Sequence, residues 1–435
     1  MGGAIGGDNL FKREDFVYVG VDVHSKVHAS VMVNHYGEQI GKATKFDAAI
    51  PAFDEWVEQV QKRAGGKGIV FGLEDVHGLG RSLARYLLDR GYRVKFANAY
   101  LTKRERPSIN KHDSLDALSV ARITAKYIHE LPEADIDPLQ WALLSTVTHR
   151  RGLVNEQNRL KNKLGNLLHQ AWPEYRSFFS EPFDGVTALA FWEQYPSVYR
   201  MAEVTPAKLS EFLREKSHFY MGEKQAARIF AVVGQTEEPD CQFERDAIIR
   251  STVKHLRHVQ EQIADAEAQL ARLIARTDHH LTDIPGMDVA SAAELIALVG
   301  DVGRFKNVDK FLAYTGIAPG MSASGESEAK FRSKFGRREL LAFFHNFAAH
   351  QLVVAPRSGK PRNPEALAYY NKVLGDQAGL PKEKQDKRIR RKALLSLMRQ
   401  QAKRMYRLMK VQKAQAVARR AAVAVEETQQ ETKAA

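Results

Sequence analysis

The stretch VYVGVDVHSKVHASVMV, residues 17–33, decides how the rest of the chain is read. It offers two β-rich runs separated by a polar turn at His24-Ser25-Lys26. The first run leads into Asp22-Val23-His24, and no glycine fingerprint follows it. A doubly wound nucleotide binder would carry that fingerprint there and would alternate strand with helix from the start.

Outward from this stretch, Gln39 to Phe46 predicts a third strand after the Tyr36-Gly37 turn. Ala48 to Lys62 has helical spacing at Phe53, Trp56, Val57 and Val60. Gly68 to Leu73 (GIVFGL) reads as a short apolar strand ending at Glu74. A helix from Leu79 to Arg90, a strand from Tyr92 to Ala97 and a helix beginning near His112 complete the series, the last turning Leu115, Leu118 and Ile123 inward. Three meandering strands followed by alternating helix and strand match an RNase H-like arrangement over residues 15–132, after a loose Gly-rich tail at 1–14.

Four acids sit where such a fold would gather them. Asp22 lies in the first strand and Glu74 at the carboxyl end of the central one, while Asp113 and Asp116 stand three apart on one helix face. Each alone has an ordinary structural role open to it: a turn cap, an ion pair, or a first-turn acid facing the helix dipole. Together, in this strand order, they suit a site that neutralises charge on a phosphodiester through divalent ions. Asp75 would point to the other side of the strand. His28, His77 and His112 invite a metal reading, and His24 and His112 flank the acids within reach of metal or phosphate, although polar surface histidines are commoner. Trp56, Trp141, Trp172 and Trp192 read as core or helix-packing residues.

From Leu139 the pattern changes to long helices. Leu153, Leu160, Leu164, Leu167 and Ala171 keep heptad-like spacing, as do Ile249, Val253, Leu256, Ile263, Ala266, Leu270 and Leu273. Residues 139–279 are thus expected to form coiled-coil helices, paired antiparallel or with another subunit. A small helical subdomain rich in aromatic residues is inserted between them at about 173–240. In residues 280–355 the turn Ile284-Pro285-Gly286 before an Ala-rich helix looks like half of a helix-hairpin-helix, whose turn amides can meet a DNA phosphate. Residues 356–412 form a basic helical region, with twelve cations between Lys382 and Lys410 against Glu383 and Asp386; residues 413–435 read as a fraying helix or disorder. The expected architecture is α/β plus all-α.

Composition points the same way. The chain has 435 residues, a net charge of +13 and a pI near 9.5, which favours a polyanionic partner. Cys241 is the only cysteine, which excludes an internal disulfide and a thiolate zinc cluster. Carboxylates suit magnesium or manganese. No apolar run reaches membrane-spanning length and the first residues lack a secretory signal, so a cytoplasmic location is expected.

Val19-Gly20-Val21-Asp22-Val23-His24, Gly72-Leu73-Glu74 and Lys111-His112-Asp113-Ser114-Leu115-Asp116-Ala117 together resemble the DEDD-type transposases of bacterial insertion sequences. These are the bridge-RNA-guided recombinases of the IS-one-ten family, to which Piv-type DNA invertases are similar. Arg159-Leu160-Lys161-Asn162-Lys163-Leu164 looks like the family's coiled coil. Ile284-Pro285-Gly286, Arg304-Phe305, Tyr314-Thr315-Gly316-Ile317-Ala318-Pro319, Ser324-Gly325 and Lys334-Phe335-Gly336 look like its second transposase domain.

The resemblance implies a RuvC-like metal site of Asp22, Glu74, Asp113 and Asp116, with Ser324 as a nucleophile that becomes linked to DNA. Ser322, Ser327 and Ser333 stand close enough to compete for that role. Ala323 and Gly320 occupy places where the family pattern has Ser and a basic residue, and Glu326 follows the Ser-Gly pair. The resemblance further implies DNA partners (element ends and target), a structured guide RNA, a homodimer or tetramer, and work at the bacterial nucleoid. Two rivals stand beside it: a water-using RuvC-like nuclease or junction resolvase, and a non-catalytic nucleic-acid-binding protein.

Overall fold

The computed structural model describes residues 12–74, 78–97, 102, 105, 112–131, 133–134, 137–233, 238–324, 327–332, 336–354 and 359–434, with backbone alone for 319–324, 327–332 and 424–434. The chain divides into two units, Met1–Pro138 and Leu139–Ala435.

In the first unit, β1 (Phe16–Asp22) is the middle strand. It pairs antiparallel with β2 (Val27–Val33), which carries β3 (Thr44–Asp47) on its far side. On its other edge β1 runs parallel to β4 (Gly68–Glu74), and β5 (Arg93–Phe96) runs parallel to β4. The order is β3-β2-β1-β4-β5. Helix α1 (Ile50–Ala64) connects β3 to β4, α2 (Arg81–Asp89) connects β4 to β5, and α3 (Asp113–Lys126) follows. The order of strands and helices read from the pattern is the order found. The third strand begins later than expected: Gln39 makes a single bridge to Val33, and Gly41, at φ 73°, breaks the extended backbone before Thr44.

The two-residue period of a strand sends alternate side chains to opposite faces. Val17, Val19 and Val21 of β1, with Phe71 and Leu73 of β4, meet Phe53, Trp56 and Val57 of α1 and Leu83 and Leu87 of α2. Tyr18 and Val70 face the other way, against Ala117, Leu118, Ala121 and Ala125 of α3. The result is three layers, helix on sheet on helix. The expected inward Leu115 is half-buried, whereas Leu118 and Ile123 are fully inside.

In the second unit, α4 (Pro138–Ala171) and α9 (Gln242–Ile274) pair antiparallel within one chain. Arg150 meets Glu267 at 2.6 Å, and further along Glu156 meets His255 at 3.3 Å. Leu153, Leu160, Leu164 and Leu168 pack with Ile249, Val253, Leu256 and Val259. Against that seam lies the inserted subdomain of α5 (Tyr175–Phe178), α6 (Val186–Gln194), α7 (Pro206–Lys216) and α8 (Glu223–Phe230). Trp172 and Trp192 are buried there, but Trp141 is 51% exposed, contrary to the packing role expected for it. The inward residue of that turn is Leu143, and two positions along a helix is nearly the opposite side.

A second core gathers α10 (Val289–Val299), α11 (Val308–Tyr314), α12 (Arg338–Gln351), α13 (Pro364–Leu374) and the inner stripe of α14 (Lys387–Ala434). Helix α14 continues past Gln412. The stretch Gly316 to Gly336 contains a hairpin of β6 (Pro319–Ser324) and β7 (Ser327–Arg332). Small residues such as Gly320, Ser322 and Ala323 leave no strong strand pattern, so the cross-strand backbone pairing had no sequence signature. Among the described residues no helix is long and apolar enough to cross a membrane.

Candidate metal site

Two glycines set the geometry of the acid cluster. Gly20 and Gly72 are partners in the parallel β1–β4 register, and two residues on, Asp22 and Glu74 are partners too. All four belong to the strand face that meets α3. A Cβ on Gly20 would lie 2.2 Å from the Ala117 carbonyl oxygen and 2.2 Å from the Ala121 amide nitrogen. A Cβ on Gly72 would lie 1.9 Å from Thr124 Oγ1. Helix α3 therefore rides directly on the strand backbones, and its first turn, with Asp113 and Asp116, arrives at their carboxyl ends.

Asp22 is mostly buried and its carboxyl is pushed above its ordinary pKa, first by burial and further by the charges of Asp116 and Glu74; His24 pulls it back. His24 Nε2 stands 3.1 Å from Asp22 Oδ2 and 3.7 Å from Asp113 Oδ1. Lys45, on β3, donates to Asp113 Oδ2 at 3.0 Å, and this bond is the largest reason why that carboxyl lies below its ordinary pKa. Asp22, His24 and Asp113 bring one ligand atom each within 4.8 Å of one another. Asp116, on α3, is 5% exposed and near enough for its charge to act on Asp22, but neither it nor Glu74 belongs to that group of three.

The donor set fits a hard divalent cation. Carboxylates that raise one another's proton affinity are relieved by a central positive charge, and carboxylate oxygen is the ligand such ions prefer. His24 belongs to the cluster although the sequence favoured no histidine; its place two residues after Asp22, in the turn, was the available signal. Lys45 had none, because only the sheet brings β3 to α3. The other histidines divide: His28 is fully buried between Phe46 and Phe53, with ring centroids 5.2 and 5.9 Å away, a core position. His112 precedes α3 as an exposed residue, and His77, Asp75 and Lys111 lie outside the described residues.

Ser324 belongs to the second unit. It closes β6, and its backbone is the register partner of Ser327 at the tip of the hairpin; Gly325, Glu326 and Ser333–Phe335 lie outside the described residues.

Residues 19–173 match a family model described as a transposase, DEDD_Tnp_IS110. Residues 278–371 match one described as transposase IS116/IS110/IS902 family, so the two cover more than half of the chain. The chain belongs to the IS110/IS116 transposase family. The first match holds all four acids and His24, and the second holds the β6–β7 hairpin. Two relatives agree along most of their length. The insertion element IS110 uncharacterized 43.6 kDa protein of Streptomyces coelicolor is 26% identical over 345 residues, 76% of this chain and 83% of the relative. The insertion element IS116 uncharacterized 44.8 kDa protein of Streptomyces clavuligerus is 24% identical over 416 residues, 89% of this chain and 93% of the relative. Membership makes this transposase an enzyme of DNA cleavage and recombination, and the DEDD family suggests that it uses a divalent metal.

Proposed function

We propose that this transposase is a serine recombinase, with Asp22, Glu74, Asp113 and Asp116 as metal-holding catalytic acids on an RNase H-like (RuvC-like) unit and Ser324 as nucleophile. The observation that carries the reading is the Asp22–Glu74 pair at the ends of adjacent parallel strands, with Asp113 drawn to the same point. The strand order, antiparallel on one side of β1 and parallel on the other, supports the RNase H-like assignment. Bound magnesium or manganese would neutralise the phosphate oxygens and lower the pKa of the attacking hydroxyl.

The chain's own groups supply the rest. Before a metal binds, His24 holds the Asp22 carboxylate through its hydrogen bond and Lys45 holds that of Asp113. The Ser324 oxygen attacks phosphorus, the bond from phosphorus to the oxygen of the departing strand breaks as the serine ester forms, and the proton lost by the serine is balanced by one taken up on that departing oxygen. The phosphodiester energy is held in that ester, so strands can exchange and rejoin without ATP.

The reading extends to DNA at element ends and target, to a structured guide RNA, and to a dimer or tetramer in which serine and acids come from different subunits. Within the second unit, the turn at Ile284-Pro285-Gly286 opens on a cavity of about 990 Å³ lined by acids (Asp283, Asp288, Glu294, Glu339) as well as arginines, of which the exposed Arg338 and Arg362 are the candidates for phosphate contacts.

The test incubates protein with Mg²⁺, element-end DNA and RNA from the element's flank, and looks for a protein–DNA adduct on a denaturing gel. An adduct is expected in wild type and lost in Ser324→Ala and Glu74→Ala. Cleavage without adduct that survives Ser324→Ala replaces the reading with a water-using nuclease or resolvase. Nucleic-acid binding without cleavage, indifferent to Glu74→Ala, reduces the protein to an organising role.

A further inference from the structure

The aromatic residues of the inserted subdomain are almost all inside it: Phe178, Phe191 and Trp192 are buried. The loop between α7 and α8 reverses this. There His218 is exposed, Phe219 is 78% exposed and Tyr220 is 88% exposed. The backbone is also costly. His218 at φ 50° and Phe219 at φ 66° are successive non-glycine residues in the left-handed region, which L side chains enter only when the surroundings force them.

The surroundings do force them. The Phe219 amide donates to the Arg214 carbonyl at 2.8 Å and the Tyr220 amide to the Ser217 carbonyl at 3.2 Å. The Met221 amide donates to Ser217 Oγ at 2.8 Å, and Thr187 Oγ1 ties down the Lys216 carbonyl at 2.9 Å. The loop is lashed into a shape whose visible result is two rings held out in solvent.

A cation stands beside one of those rings. The Arg214 guanidinium lies 5.9 Å from the Phe219 ring centroid. Helices α7 and α8 carry Lys208, Arg214, Lys216, Lys224 and Arg228 against Glu211, Glu215 and Glu223. Two rings among charges are far smaller than the roughly 800 Å² per partner of a standard protein interface. They match one or two bases flanked by phosphates, since every base presents a π-face and a polyanionic backbone.

We propose that His218-Phe219-Tyr220 is a stacking tip that takes unpaired bases of the DNA strands opened during recombination. The choice of DNA rests on the family's chemistry, whereas the stacking function rests on this loop alone. Full-length protein is titrated, without divalent ion, against a DNA duplex with a 2-aminopurine bulge, the fully paired duplex, and the bulged sequence as RNA. Leaving out the metal separates this test from whether serine or water is the nucleophile.

Wild type is expected to quench the bulged DNA probe on binding. Phe219→Ala/Tyr220→Ala should lose about tenfold in affinity for it and less than about twofold for the paired duplex, while Phe219→Trp keeps the preference. An unchanged melting temperature shows that the double variant is folded, as its exposed side chains require. Equal losses on bulged and paired DNA, or no loss, overturn the proposal. A change in oligomeric mass by light scattering with bulge binding intact makes the tip a protein contact instead. Preference for the bulged RNA alone overturns the DNA assignment.

Discussion

At the scale of single residues, the cluster around Asp22 holds its charges in balance with groups that a metal would displace. Lys45 places a full positive charge on Asp113, a proposed ligand, from 3.0 Å. Both side chains are substantially exposed, so the interaction is modest, and Lys45→Met is expected to tighten Mn²⁺ binding about two- to fivefold in calorimetry. Weaker binding in that variant would show that Lys45 supports the bound state instead. His28 makes a different prediction. Burial, with a further push from His24, holds its imidazole below the ordinary 6.5. The unfolded chain therefore takes up the proton first, so stability is complete above that value and falls as pH drops through it. His279, half-buried in the second unit, acts in the same direction. Urea midpoints at about pH 7.5 and about pH 5.5 should differ in wild type, and less in His28→Gln.

At the scale of elements, the decisive contact is α3 on the bare backbones of β1 and β4. Gly72→Ala is expected to cost about 1–3 kcal/mol by overpacking. Thr124→Ala should recover part of this, because it removes Oγ1 at 1.9 Å and Cγ2 at 3.3 Å and leaves only Cβ at 3.0 Å. Gly20→Ala offers no such rescue, since the atoms it meets belong to the α3 backbone. Urea unfolding of the single and double variants measures the coupling, and simple additivity would disprove the close approach. The carboxylates, the α/β order and the long helices were legible because each leaves a periodic or motif-like trace. The roles of Gly20 and Gly72 were not, since a glycine in a strand does not say what approaches it.

For the molecule as a whole, the net charge is +13, and part of its positive charge stands exposed on α14. Arg388, Lys392, Lys403 and Arg407 are exposed on α14, while Leu397, Met405 and Met409 of the same helix are core. If these four cations contact phosphates, replacing all with Gln should reduce the slope of log affinity against log salt by about 3.6 on duplex DNA, with little change in melting temperature. An unaltered slope would move the phosphate contacts elsewhere, with the exposed Arg338 and Arg362 next to be tried.

The sequence alone determined the class of the chain: the mixed first unit, the helical second, four candidate acids and the transposase motifs. Those depend on local periodicity and on short runs of neighbouring residues. Tertiary structure decided the rest: that α4 and α9 pair within one chain, that His24 and Lys45 join the acids, that a hairpin carries Ser324, and that Phe219 and Tyr220 face solvent. Each of these depends on which distant backbones can approach, and approach distance is a property of packing that one-dimensional pattern does not encode.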